Sequence, residues 1–82
     1  MRGKPDQAVA LLRNKASLAS GVGRDLLLLE AGRVWVGHGF ADRAEAVLGE
    51  LEARDPDVQK LVAQVRGWIE RDRRMRMQAP AP

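Results

Sequence analysis

Apolar residues recur along this chain at helical intervals, and the recurrence breaks at three glycine- or proline-bearing points. Ala8, Leu11, Leu12, Ala16 and Ala19 share one face of a first segment. Pro5 suits its opening turn, where a missing N–H costs nothing, so the pattern predicts a helix over 5–18. Gly21 and Gly23 interrupt the pattern and read as a linker, after which Asp25 is the expected N-cap of a second helix whose apolar residues run over 26–36. Gly37 and Gly39 close that helix. Asp42 and Glu45 have capping-box spacing, and Ala44, Val47, Leu48 and Leu51 form the buried stripe of a third helix. Asp55-Pro56 marks the next boundary, with Pro56 as the first helical residue. Val58, Leu61, Val62, Val65 and Ile69 then make an amphipathic stripe on a fourth helix, expected over 56–73. Residues 75–82, ending Gln-Ala-Pro-Ala-Pro, lack such a stripe and are expected to be a disordered tail. The fold class is therefore all-α: about four helices in antiparallel hairpins, forming a helical domain over 1–74.

The second helix departs from ordinary amphipathicity. Leu26, Leu27, Leu28, Leu29, Ala31, Val34, Trp35 and Val36 place apolar groups nearly all round it, as expected of a helix covered on several sides. A chain of 82 residues buries a modest fraction of its surface, so help from a partner is an early expectation.

Composition narrows the chemistry. Cysteine is absent, which removes disulfides and thiolate zinc sites and fits a reducing, cytoplasmic setting. Arg13 and Lys15 end the first apolar run too early for a signal-peptide core, and the Leu26–Leu29 run is far short of a membrane span. His38, the single histidine, sits between two glycines at a helix end, so no metal site is expected. Gly21-Val22-Gly23 lacks the third glycine and the Lys-Ser/Thr of a phosphate loop, and no cofactor is expected. Glu45, Glu50, Glu52 and Asp55 are explained by a helix start and a solvated face without any convergent nucleophile, so no catalytic residue is assigned. Fourteen basic residues against eleven acidic ones give a net charge of +3, and they are largely interspersed. The one basic cluster, Arg66, Arg71, Arg73, Arg74 and Arg76, is interrupted by Glu70 and Asp72 and lacks a stacking platform, which argues against nucleic acid.

The residues Gly39-Phe40-Ala41-Asp42-Arg43-Ala44, followed by Leu48, Leu51 and Pro56, resemble the second helix of a tetratricopeptide repeat. In that register Trp35 takes the aromatic position of the first helix, Gly32 its small-residue position and Leu28 its leading apolar position, giving one complete repeat over 25–58 of roughly 34 residues. Gly32, Trp35, Gly39, Ala44, Leu48 and Pro56 agree with the repeat pattern, while Ala31, Ala41 and Arg54 depart from it. Gly3, Ala8 and Leu12 lie 36 residues before Gly39, Ala44 and Leu48, so the first helix resembles the second half of a preceding repeat whose first helix is missing. The fourth helix aligns as a capping helix, with Arg66 in place of the small residue.

The resemblance implies a protein-binding module. It places Leu26, Leu29, Arg33 and Val36 on a groove facing a ligand, and on the fourth helix Lys60, Ala63, Gly67 and Glu70, where small Ala63 and Gly67 leave room for an apposed helix. Trp68, off the core line, is a further interface candidate, since tryptophan is enriched among binding hot spots. The expected partner is a protein, held in a heteromeric complex through an amphipathic helix laid in the groove, with Leu26, Leu29 and Val36 as anchors and Arg33 setting polarity. Leu29 and Arg33 stand where one branch of that family carries the lysine and asparagine of a carboxylate clamp. Size and groove polarity resemble the small bacterial type III secretion chaperones. Three alternatives remain open: nucleic-acid binding through the basic cluster of the fourth helix, packing of Leu26 and Leu29 against the first helix of the same chain, or self-association in a symmetric homodimer.

Overall fold

The computed structural model describes residues 4–78, which form four helices: α1 (Pro5–Ser17), α2 (Gly21–Gly37), α3 (Ala41–Leu48) and α4 (Pro56–Gln78). Among the described residues there is no strand. The expectation of an all-helical chain built of hairpins holds. The molecule is a slab 46 × 34 × 16 Å, and 16 Å is the thickness of two packed helices, given interaxial distances of about 8–10 Å.

α2 is the hub. It packs against α1, α3 and α4, α3 also packs against α4, and α1 lies on α2 alone. This explains the apolar residues around α2: Leu28, Leu29, Ala31 and Trp35 are all buried, each facing some neighbour, and only a narrow strip carrying Val22, Leu26, Glu30 and Arg33 stays open. The core continues through Val9 and Ala16 of α1, Ala44, Val47 and Leu48 of α3, and Val58, Val65 and Ile69 of α4. Two side-chain ion pairs link α1 to α3 and the turn after it, Asp6 to Arg43 at 3.3 Å and Arg13 to Glu50 at 2.9 Å.

The helix ends follow local chemistry in two places. After α2, Gly39 adopts φ +84°, the Phe40 N–H donates to the Trp35 carbonyl at 2.8 Å and the Gly39 N–H to Val36 at 3.0 Å. This is the Schellman arrangement, and its accompanying apolar contact is the edge-to-face pair of Trp35 and Phe40, with ring centroids 5.5 Å apart. At the start of α4, the Asp55 carboxylate accepts from the N–H groups of Asp57 and Val58 at 3.0 and 3.2 Å, with Pro56 as the first helical residue.

Several expected boundaries are corrected. α2 begins at Gly21, so Gly23 lies inside its first turn and the Gly21–Gly23 stretch is helix, not linker. Asp25 therefore caps nothing at its own helix start. It is buried at 3% exposure, and its carboxylate reaches across to the loop after α3, accepting from Glu52 N–H at 3.2 Å and Ala53 N–H at 2.9 Å. Ala53 holds φ +51°, an uncommon conformation for a residue with a side chain, and Asp25 is what pins it. Asp42 and Glu45 form no capping box either. The residue before α3 is Phe40, without a side-chain cap, and the two carboxylates instead grip Arg73 of α4 at 2.8 and 3.0 Å. Residues 75–78, expected in the tail, continue α4, while 1–3 and 79–82 lie outside the described residues.

Candidate partner-binding groove

Where α2 and α4 run side by side, each helix presents a row at i, i+3, i+4 and i+7: Leu26, Leu29, Glu30 and Arg33 on α2, and Leu61, Gln64, Val65 and Trp68 on α4. Between the rows lies a cavity of about 230 Å³, floored by buried Leu29 and Val65 and rimmed by exposed Leu26 and Leu61. It is smaller than the roughly 300–1,000 Å³ usual for small-molecule sites, and its size suits one or two inserted side chains. A shallower basin of about 420 Å³ continues it toward the end of α2, lined by Val34, Val36, Gly37 and Trp68. Glu30 and Arg33 border both.

Arg33 is the polar element at the junction. Its guanidinium pairs with Glu30 at 3.2 Å and lies over the Trp68 ring, 5.6 Å from the centroid. The cation–π contact holds the planar head over the indole. Both residue types are enriched among interface hot spots.

The structure brings five of the seven expected residues to this surface: Leu26, Leu29, Arg33, Val36 and Trp68. Leu29 is present in a different capacity. At 3% exposure it is core, covered by α4, and cannot serve as an anchor for another molecule; the expectation of an open Leu29 is corrected. Leu26 remains 45% exposed. Ala63 and Gly67 do not line the groove. They sit on the outward face of α4, because burial of Val58, Val65 and Ile69 against α2 and α3 turns Leu61, Gln64 and Trp68 toward α2 and leaves the row one residue earlier facing away. Glu30, Leu61, Gln64 and Val65 of the cavity, with Val34 and Gly37 of the basin, are lining residues that the sequence did not place at the groove. On α4 their signal was available in the spacing of 61, 64, 65 and 68 beside the core stripe.

The basic end of α4 is partly neutralised. Arg73 donates to Glu45 and Asp42, and these bonds, Glu45 foremost, hold its guanidinium above its already high pKa. Arg76 donates to Asp72 at 2.8 Å and to the Gly39 carbonyl at 2.8 Å. Arg66, Arg71 and Arg74 form no ion pair among the described residues. Arg43, Arg73 and Arg76 ring a third basin, of about 330 Å³, at Phe40, but each already faces a carboxylate of this chain.

No protein-family model, no curated protein and no solved structure matches this chain. Among the described residues no helix is long and apolar enough to cross a membrane.

Proposed function

We propose that this chain is a protein-binding helical adaptor whose α2–α4 groove receives the apolar face of a helix from a partner protein. The observation that carries the reading is the pairing of Leu26 and Leu61, two large aliphatic side chains left 45% and 40% exposed on the rim of one cavity. A helix laid along the groove covers both, and its next turn reaches the Val36–Trp68 basin past Arg33. Completing burial of two half-covered leucines contributes about 1 kcal/mol each. Association itself costs roughly 4–15 kcal/mol, so the Arg33–Trp68 pair and the basin must contribute as well. An acidic side chain on the partner, exchanging for Glu30 at Arg33, supplies orientation. In its narrower form the proposal is an export chaperone of the type III secretion kind, shielding such a helix in the cytoplasm inside a heteromeric complex.

The test is a double variant. Leu26→Asp with Leu61→Asp alters only partly exposed rim positions, so helicity by circular dichroism should be retained while captured partner is lost. Equal capture by the double variant and the unmodified chain would reject the groove. Co-purification with an exported substrate, released on substitution of Arg33, is the outcome expected of the narrower form; a partner with no route out of the cell would discard it.

A further inference from the structure

We infer that the helix received by the groove lies antiparallel to α2 and α4, with acidic residues in its first turns and basic residues in its last; this rests on the groove reading above and adds direction and charge order to it. The two walls run the same way. The cavity is lined from Leu26 to Arg33 on α2 and from Leu61 to Val65 on α4, and the basin beyond it reaches Gly37 and Trp68. Both helices therefore advance together from the Leu26–Leu61 end to the Gly37–Trp68 end.

The charges of the groove are ordered along that direction. Asp57 stands one turn before Leu61 and Arg71 one turn after Trp68, on the row of α4 that faces α2. Both are exposed, and neither has an ion-pair partner among the described residues. Lys60 and Arg74 fall outside this row, on the outward face with Ala63 and Gly67. On α2, Glu30 precedes Arg33, and an exposed pair such as theirs, at 3.2 Å, contributes little, so each is free to turn to a new partner. From its start to its end the groove reads Asp57, Glu30, Arg33, Arg71: two anionic groups, then two cationic ones.

A helix complementary to that order is acidic beside Arg33 and Arg71 and basic beside Asp57 and Glu30. Laid parallel to the walls, it would carry basic residues in its first turn and acidic ones in its last, against its own dipole, with its N-terminus beside those of α2 and α4. Laid antiparallel, the same charges suit its dipole at both ends, and its C-terminus meets the two N-termini. The antiparallel arrangement is favoured on both counts. Leu26 and Arg33 are seven residues apart, roughly 10.5 Å, so the cavity and the basin lie two turns apart. Along the partner the order is acidic residues, an apolar side chain for the basin, a second about seven residues later for the cavity, then basic residues.

Two synthetic peptides of roughly 18 residues test this, sharing one apolar stripe and carrying the charges either in this order or exchanged end for end. Isothermal titration of the full chain at low salt should show the first peptide at least about tenfold tighter, with the ratio shrinking at high salt. A chain combining Glu30→Arg, Arg33→Glu, Asp57→Arg and Arg71→Glu, all at exposed positions, should reverse the preference. That reversal is independent of how helical each free peptide is. Direction is read by disulfide trapping, since the chain has no cysteine of its own. A peptide with cysteine at its first position should link to Gly37→Cys, where a side chain meets nothing within 4 Å, and not to Val22→Cys, exposed at the other end of the groove. Binding of neither peptide would reject the groove reading and this inference with it. Equal binding of both peptides by both chains would keep the groove and overturn the charge order, and a link to Val22→Cys would overturn the direction.

Discussion

α2 and α4 form the two walls of the groove, yet they are held in opposite ways. α2 touches all three other helices, and its residues are buried around most of its circumference. α4 touches α2 and α3 on one side, buries Val58, Val65 and Ile69 in a single stripe, and leaves the other side to solvent. The same nominal position therefore has different physics in each wall. Leu29 and Ala63 are 34 residues apart and share one register position in the repeat resemblance, but Leu29 is core while Ala63 is exposed. A side chain is free for a partner only where the next helix in the stack does not already cover it.

The largest expected effect comes from placing the same charge at these two sites. Leu29→Asp removes a buried leucine, worth about 2–5 kcal/mol, and adds an unpaired carboxylate in an apolar setting. A chain of this size has roughly 4–12 kcal/mol in total at ~0.05–0.15 kcal/mol per residue, so loss of most of the cooperative urea transition is expected. Ala63→Asp should shift the transition by under about 0.5 kcal/mol. Equal and small shifts at both sites would show that α4 does not close over Leu29.

The sequence displayed the number of helices and most of the apolar stripes of α3 and α4, because those depend on spacing within one segment; on α1 the expected stripe is corrected, since Val9 and Ala16 are buried while Ala8 and Leu11 are exposed. It also displayed the ends that local chemistry sets, Gly39 with its left-handed backbone and Asp55-Pro56 with its carboxylate cap. What it concealed was nonlocal. Asp25 looked like an N-cap because a short polar residue precedes a run of leucines, yet its partners are N–H groups 27 and 28 residues away. Asp42 and Glu45 have capping-box spacing, but Arg73, 31 and 28 residues away, outcompetes the backbone for both. In the groove, the α2 row was legible from the repeat register. The α4 row was displaced by one residue, since which face of α4 turns inward is decided by α2 and α3 together.

Asp25 links the two walls. Its carboxylate couples α2 to the loop that delivers the chain into α4, so the geometry of both walls passes through it. Asp25→Ala strands two N–H groups in a partly buried loop and removes the contact that stabilises the Ala53 conformation. Hydrogen bonds to a charged acceptor are worth roughly 1.5–3 kcal/mol each and do not add fully, so a loss of about 3 kcal/mol is expected in urea unfolding. Faster amide exchange should appear at Glu52 and Ala53 first. A loss under about 1 kcal/mol with unchanged exchange there would mean the loop is held by other contacts, and the two walls would be less tightly linked than the geometry indicates.

The smallest effects test how closely each helix is approached. Gly32 of α2 faces α3, and Gly67 of α4 faces solvent. A methyl group at Gly32 would lie 3.7 Å from a Leu48 side-chain carbon and 3.9 Å from the Ala44 carbonyl oxygen, ordinary contact distances, while one at Gly67 would meet nothing within 4 Å. The small residue that the repeat resemblance places at position 32 need not be glycine here. Both Gly32→Ala and Gly67→Ala should raise stability by about 0.5–1 kcal/mol, through helix propensity and reduced freedom of the unfolded chain. A longer side chain then separates the two. Gly32→Leu should cost about 1–3 kcal/mol by forcing α3 outward, whereas Gly67→Leu should retain the gain in helix propensity. Thermal unfolding of the four variants decides the matter: if Gly67→Leu is as damaging as Gly32→Leu, the outward face of α4 is already occupied, and the contrast between a covered α2 and an open α4 is wrong.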